Sequence, residues 1–495
     1  MKTKQLVGDE RAFFGIVKEA AFSNPFSDLR RELDKKITGF VHSPGNETDE
    51  ILLIINAIGE KIRRLETEGK ANIKCFSGED KEIMSYAFLF DIFHKHIDSF
   101  DASINEQLKS NEKLIKITFA GEVLNSITKR GFSKEESLLY FALFFQLRRA
   151  FYFINNSIVG ESDSIRKLKC SLWQNIFTED ISCYARTLWN KMEDFSTVLT
   201  GETGTGKGSA ANAIGMSGFI PFDENTNSFV ESFTHSFISI TLSQYSENLI
   251  ESELFGHTKG AFTGATETHK GVFSRCSPHG SIFLDEIGDV SETIQVKLLK
   301  VMQERVFSPV GSSDKKRFSG RLIAATNKSL SEMCKSGRLR YDFYYRLCSD
   351  IIEVPSLRLR IAENQNELIQ LVNHTVERIL GGKDSKLTDK IYAVIIKDLG
   401  ANYSWPGNVR ELQQCVRRIL LKGHYEGFIP ESGQDDYSKL TADLRNGKLT
   451  AEKLLSEYCS ILYKQHGSYE KVSLITYLDR RTVKKYIKNA DFRED

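Results

Sequence analysis

Apolar residues recur at every third or fourth position in two early stretches, Ile51–Ile62 (ILLIINAIGEKI) and Leu138–Phe153, with few Gly or Pro interruptions. That period belongs to helices that bury one face, so a helical N-terminal domain is expected over residues 1–152. From about residue 153 the texture changes to short β-branched or apolar runs, each followed by a Gly-rich turn and a helical stretch. This alternation predicts βαβ units around a parallel sheet over 153–360. Purely helical patterning returns near residue 356 and runs from Asn364 to about Glu426, giving a helical lid over 361–426. The polar stretch Gly427–Lys448, with its Gly, Pro, Ser and Asp, reads as a linker. Residues 449–495 then close the chain as three short helices, punctuated at Gly467-Ser468 and at Tyr477-Leu478-Asp479. The expected fold class is multidomain, with an α/β parallel-sheet core between helical parts.

Composition narrows the function classes. A chain of 495 residues exceeds what one hydrophobic core supports, and 40% hydrophobic with 27% charged residues excludes a wholly disordered protein. With 67 basic and 66 acidic residues the net charge is +1, so any contact with nucleic acid has to come from a local patch. The opening MKTKQLVGDERAFF has acids where a signal peptide would place its apolar core. The most apolar stretch, Ser137–Ile154, is broken by Gln146, Arg148 and Arg149 and falls short of the roughly 20 residues a spanning helix needs. Eight cysteines without a C-x-x-C pair argue against a zinc ribbon or a disulfide framework. The expected setting is cytoplasmic, with no membrane partner. In residues 1–152 no catalytic motif stands out: His94 and His96, two positions apart, do not face one another on a helix, and Cys75 reads as a core residue.

Chemistry concentrates in the α/β region. The short strand Ser196–Thr200 leads into Gly201-Glu202-Thr203-Gly204-Thr205-Gly206-Lys207 and a helical run, the phosphate loop G-x-x-x-x-G-K in its proper context. The glycines let backbone N–H groups turn toward phosphate oxygens, the helix N-terminus adds partial positive charge, and Lys207 reaches the β/γ-phosphates. The next position, usually a Mg²⁺-binding Ser or Thr, is Gly208, and Ser209 comes one residue too late. Gly280–Glu286 is an apolar strand ending in two acids: Asp285 placed to hold Mg²⁺, Glu286 free to polarise an attacking water. A third strand, Arg321–Asn327, ends in Thr-Asn, and Asn327 is positioned to orient water or sense the γ-phosphate, although such a pair is also ordinary turn chemistry.

The stretch ESELFGHTKGAFTGA, Glu251–Ala265, presents Gly260, Ala261, Phe262, Thr263, Gly264 and Ala265 as a loop tip of small residues around one aromatic. With it the chain strongly resembles the AAA+ activators of sigma-54 RNA polymerase, the bacterial enhancer-binding proteins. SELFGH, GAFTGA, FLDEIGD, LLKVMQE, IAATN, YYRL and WPGNVREL occur in the expected order over about residues 155–426. The resemblance implies an AAA+ core with a helical lid, ATP and Mg²⁺ as ligands, and a GAFTGA loop that engages sigma-54 as ATP is hydrolysed. It makes Arg340 and Arg346, in a segment with Leu339 where the family has Phe, arginine fingers reaching a neighbouring subunit's nucleotide, and Arg410 the lid's nucleotide sensor. Surface or structural ion pairing is the ordinary alternative for Arg340 and for Arg346.

Several positions depart from the family pattern. Thr241 stands where an Asn usually restrains the catalytic Glu, Ser356 stands where a second Pro is common, and the segments Ile214–Phe237 and Trp173–Trp189 are longer than the family norm. The last stretch, Arg480–Lys488, has five basic residues and no acid and is similar to a Fis-type helix-turn-helix. Its recognition helix would bring Arg480, Arg481 and Thr482 to base edges and Lys484 and Lys485 toward phosphates; a solvated basic face is the ordinary alternative. The expected function is an ATP-hydrolysing activator that binds upstream double-stranded DNA and assembles into a homo-oligomer, a hexamer in the family. It would open promoters with the sigma-54 RNA polymerase holoenzyme. Two others stand beside it: a non-hydrolysing DNA-binding regulator that uses the AAA+ region as a nucleotide-gated scaffold, and a remodelling ATPase acting on another protein. The signal received by the N-terminal domain is not legible.

Overall fold

Side-chain caps and buried apolar faces set the helices of the N-terminal region. The computed structural model describes residues 5–39, 47–110, 113–427, 440–441, 444, 447 and 449–491. The linker expected over Gly427–Lys448 lies, apart from isolated positions, outside the described residues. Helices α1 (Gly8–Phe22), α2 (Asp28–Thr38), α3 (Glu47–Thr67), α4 (Gly78–Lys95), α5 (Ile97–Ser110), α6 (Ala120–Lys129), α7 (Lys134–Ser157) and α8 (Asp163–Phe177) come first. In front of α7, the Ser133 hydroxyl accepts from Glu136 N at 3.1 Å and the Glu136 carboxylate accepts from Ser133 N at 2.7 Å, a reciprocal cap. That helix runs unbroken through residues 152 and 153. Of the three residues that interrupt its apolar run, Gln146 and Arg149 are buried and Arg148 is partly exposed.

The α/β region holds a five-stranded parallel sheet: β1 (Thr197–Thr200), β2 (Phe237–Thr241), β3 (Ser281–Asp285), β4 (Arg321–Thr326) and β5 (Asp350–Glu353), in the order β2-β3-β4-β1-β5. Central strands covered on both faces are buried throughout, as β4 is at every position. The carboxyl ends of β1, β3 and β4 bring Gly201, Asp285 and Asn327 to one edge, where open parallel sheets bind ligands.

One hydrophobic core runs from Leu6 through α1–α8 into the sheet, taking in Leu199, Phe283, Ile323 and Val354. The two lengthened segments build this join. From Ile214–Phe237 comes a small hairpin (Phe222–Asp223 with Ser228–Phe229), whose Phe229 stacks on Phe145 of α7 at 4.1 Å while Phe222 meets Phe141 edge-on at 4.7 Å. Ile117 N donates to Asn227 O at 2.9 Å, and Lys134 pairs with Glu224 at 2.6 Å. From Trp173–Trp189, the Tyr184 hydroxyl bonds Gln146 and Trp189 packs on Phe219. On the sheet's other face a second core gathers around Leu298, Phe273 and Phe343.

Four helices, Leu357–Glu363, Asn366–Leu380, Ser385–Leu399 and Asn408–Lys422, form the lid around Trp405, Val372 and Leu412. A buried ion pair fastens the lid to the α7–α8 loop. Glu367 binds Arg360 at 2.8 Å and accepts from Glu161 N at 2.7 Å and Ser162 N at 2.5 Å. Burial alone would push the Glu367 carboxyl up, but Arg360 and the Ser162 N–H outweigh it and hold the group below the usual range. Gly160 lies against this carboxylate at φ +126°, where an added Cβ would stand 2.3 Å from it.

Residues 426–495 form a separate unit. Helices Ala451–His466, Tyr469–Thr476 and Arg480–Asp491 close around Cys459, Leu462, Val472, Val483 and Ile487. Among the described residues no helix is long and apolar enough to cross a membrane.

Candidate functional site

The phosphate loop is held by its own glycines and by the neighbouring chain. Gly201 (φ +141°) leaves no room for a side chain, since a Cβ there would stand 2.5 Å from Val354 O, and Gly204 (φ +81°) would meet Gly407 O at 2.2 Å. The loop opens directly into α9 (Lys207–Gly215), whose first turn leaves backbone N–H groups without helical partners, the usual donors to phosphate. Thr205 Oγ1 donates to Glu202 O at 2.9 Å, closing the loop on itself. The Lys207 ammonium lies within it, donating to Gly201 O at 2.8 Å and Glu202 O at 2.9 Å. Burial pulls its pKa down, opposed by Asp285. The Asp285 carboxyl is pushed up by burial and by neighbouring Glu286, whose backbone N–H donates to it at 3.0 Å.

Glu286 follows β3 in left-handed backbone (φ +59°). The Ser243 hydroxyl donates to its carboxylate. Thr241, at the position where a restraining side chain was expected, ends β2 in register with Asp285, and the partner of Glu286 comes from two residues later. Asn327 Nδ2 donates to Thr203 Oγ1 at 3.0 Å, joining the end of β4 to the phosphate loop. At Gly208 a Cβ would meet nothing within 4 Å, so the missing hydroxyl is not excluded by space.

The lid meets the loop through Asn408 and Arg358, to which the motifs gave no role, and through Arg410, which they singled out. Asn408 (φ +53°), fully buried, donates to Glu202 Oε2 and Thr203 O at 3.1 Å each and accepts from Leu357 N at 2.8 Å. Arg358 forks onto the Glu202 carboxylate and holds it below the ordinary range. Arg410 N donates to Gly204 O at 3.2 Å, and its charge bears on both Lys207 and Asp285. Among the described residues no group of three His, Cys, Asp or Glu gathers. A divalent cation here would share its shell among Asp285, phosphate oxygens and water, a donor set that fits magnesium.

Arg340 and Arg346 have recorded partners away from this loop. Arg340 pairs with Asp342 and Glu292 at 2.9 and 2.8 Å, which together raise its already high pKa. Arg346 donates to Met302 O at 2.6 Å. The loop Gly260–Ala265 is a hairpin tip, closed by Gly260 N to Ala265 O at 2.9 Å above the bridge between His257 and His269. Phe262 stays 42% exposed although it meets His257 edge-on, and Thr263 is exposed.

In the C-terminal unit, Asp479 caps the last helix, accepting from Arg481 N at 2.9 Å, from Thr482 N at 3.1 Å and from the Thr482 hydroxyl. That hydroxyl is therefore engaged by the cap. Arg480 pairs with Glu470 at 3.0 Å, and Lys484 lies over the Tyr469 ring. Lys485 is exposed.

Residues 179–353 match the family described as Sigma-54 interaction domain. The nitrogen fixation protein AnfA of Azotobacter vinelandii is 39% identical over 226 residues, 46% of this chain and 39% of that protein. The transcriptional regulatory protein ZraR of Salmonella typhimurium is 37% identical over 234 residues, 47% of this chain and 49% of that protein. The matched part thus spans less than half of either relative. A solved structure of NtrX from Brucella abortus in complex with ATP aligns at a TM-score of 0.40 and 21% identity, over 74% of this chain and 80% of that one.

Proposed function

We propose, with the sigma-54 interaction domain over residues 179–353 as the premise, that this chain is an ATP-hydrolysing activator of sigma-54-dependent transcription. Its C-terminal helices bind upstream double-stranded DNA through Arg480, Arg481, Lys484 and Lys485, with Thr482 beside them at the helix start. Copies assemble into a ring and remodel the sigma-54 RNA polymerase holoenzyme into an open promoter complex. One observation carries the reading: the same domain holds a half-buried Lys207 beside Asp285 and presents an exposed Phe262-Thr263 tip.

In this reading Lys207 and the N–H groups of Gly201–Gly208 hold phosphate oxygens, and Asp285 shares a magnesium ion. Magnesium, when bound, neutralises charge on the transferred phosphoryl group. Glu286 orients the attacking water and takes its proton, and Asn327 positions that water beside Thr203. Arg340 and Arg346 reach the nucleotide of a neighbouring copy, a contribution worth roughly 10³–10⁵ in rate where such arginines have been studied. Arg410 and Asn408 tie the lid to the loop, so nucleotide state alters lid position. Gly208, which supplies no hydroxyl to the metal, favours the second reading of a nucleotide-gated regulator that does not hydrolyse.

Promoter opening separates the two. The full chain is mixed with sigma-54 holoenzyme, promoter DNA and Mg-ATP, and unpaired bases are probed alongside Thr263→Ala. Opening by the wild type that disappears in the variant supports the activator. ATP turnover without opening refutes sigma-54 as the partner, and nucleotide binding without turnover supports the second reading.

A further inference from the structure

A cavity of about 290 Å³ lies where β3 and β4 begin, at the edge of the sheet opposite the one that carries Gly201, Asp285 and Asn327. An engineered apolar cavity of about 150 Å³ is enough to take benzene, so this space admits a substituted ring. Part of its wall is apolar: Ile176 of α8, Met192, Ile214 of α9, and Trp189 with Phe219, whose rings lie 4.5 Å apart. None of the phosphate-loop residues, and none of Asp285, Glu286 and Asn327, lines it.

Charge in the wall selects the occupant. Arg321, the first residue of β4, lines the cavity and is 8% exposed. Its Nε donates to Phe195 O at 2.9 Å, and its Nη2 donates to Asn175 O at 3.0 Å, Asn175 Oδ1 at 2.8 Å and Thr197 Oγ1 at 3.1 Å. Nη1 makes no hydrogen bond among the described residues. The unpartnered Nε atoms of Arg149, Arg305 and Arg360 are sealed from solvent, but Nη1 of Arg321 is not. No carboxylate of the described residues pairs with this guanidinium, and Asp350, the acid that acts on it, is held off by Asn175 Nδ2 at 2.6 Å. Burial pulls the Arg321 pKa down to about 10, which leaves the group charged at neutral pH. A buried charge without a counter-ion is costly, and an anion in the cavity offsets that cost. The other two ions of the wall cancel, since Arg317 holds Glu193 at 2.9 Å. One positive charge is left over, which matches a monoanion; a phosphate dianion would bring one negative charge more than the wall balances.

We propose that this cavity is a binding site for a small monocarboxylate with a compact apolar body. The carboxylate accepts from Arg321 Nη1, and the body packs against Trp189 and Phe219. The site shares no residue with the nucleotide site, so it stands whether or not the chain hydrolyses ATP.

The probe is 4-fluorobenzoate, followed by its fluorine resonance on titration with the full chain in excess ADP, which keeps the anion off the phosphate loop. Saturable binding is expected. The neutral 4-fluorobenzamide, of the same shape, should bind about tenfold more weakly, the share of one charge-assisted hydrogen bond. Arg321→Gln should weaken the benzoate about tenfold and leave the benzamide where it was. Met192→Trp, which adds bulk to the apolar wall, should abolish binding of both. No saturable binding of 4-fluorobenzoate overturns the site. Equal affinity for the two probes overturns the selection by charge, and full affinity in Arg321→Gln overturns the assigned donor. Unchanged binding to Met192→Trp places the probe elsewhere and overturns the location. If Arg321→Gln does not melt cooperatively, the two probes on the wild type and Met192→Trp decide between them.

Discussion

Arg149 tests the join between the helical region and the phosphate-loop helix most directly. Its guanidinium, fully buried, donates to Met216 O at 2.8 Å and to Gly218 O at 2.6 Å, and it lies over Phe145 and Phe233 at 4.9 and 5.4 Å. Burial pulls its pKa down to about 9, which still leaves it charged at neutral pH. Met216 is the C-cap of α9, so the positive charge sits where carbonyl dipoles of the helix end converge. Arg149→Met keeps most of the aliphatic stem and removes the charge. Stranding two part-buried carbonyls costs at most about 1–3 kcal/mol each, and losing two ring contacts adds about 0.5–1 kcal/mol each. Relief of a desolvated charge offsets part of that, so the net loss is about 2–4 kcal/mol, large against the ~5–15 kcal/mol of a typical folded domain. Urea denaturation should show the midpoint falling with the slope unchanged. Amide exchange should quicken over α9 and the turn after it. Arg149→Lys should recover only part, because one ammonium cannot fork across two carbonyls. A loss under about 1 kcal/mol with unaltered exchange would refute the claim that this arginine fastens the two regions.

Three further outcomes are expected. Gly208→Ser restores a hydroxyl where a Cβ meets nothing within 4 Å, so half-maximal ATP turnover should need less magnesium; an unmoved magnesium dependence rejects the idea that a ligand is missing. Ser243→Ala frees the Glu286 carboxylate from its hydroxyl donor and should raise unstimulated kcat several-fold while leaving KM alone, since a hydrogen bond to a charged group contributes about 1.5–3 kcal/mol; an unaltered kcat counts against the restraint. His94 is held neutral, its pKa pulled down to about 3 by burial, with Arg30 adding to the effect. The unfolded chain therefore binds a proton between about pH 6.5 and 3 that the folded chain does not, and stability should fall as pH drops through that window by up to about 1.4 kcal/mol per unit. The difference between wild type and His94→Leu isolates this contribution, and parallel pH profiles would exclude it.

The phosphate loop was legible because holding phosphate requires a fixed backbone, and that requirement leaves glycines and a lysine at fixed spacing. Asp285, Glu286 and Asn327 were legible as strand ends for the same reason, and the structure brings them to one edge of the sheet. Ser243 was not, because a single serine in a polar turn after β2 gives no periodic signal, and alignment pointed to Thr241. Asn408 lay inside a recognised motif without an assigned role; its left-handed backbone, which Asn tolerates better than most residues, shows only in three dimensions. Gln146 and Arg149 interrupt an apolar run and served only to exclude a membrane helix. Their carbonyl partners at Met216, Ser217 and Gly218 are about 70 positions away, and nothing in the linear pattern pairs them. The extra length of Ile214–Phe237 was visible, but its use as the seat of α7 depends on rings that meet only in three dimensions.

The shared core has a consequence for descent. Regulators assembled from separable modules can exchange an input region by recombination at a linker, because each piece keeps its own interior. Here Phe145 and Phe229, Phe141 and Phe222, and Gln146 and Ser217 sit on opposite sides of any cut between the helical N-terminal region and the α/β region. A recombinant that exchanged residues 1–157 for an unrelated domain would leave the rings of the hairpin bare and the carbonyls beyond α9 unmet. Residues 1–157 and the α/β region are thus bound to change together, one substitution on α7 answered by another in the segment 214–237.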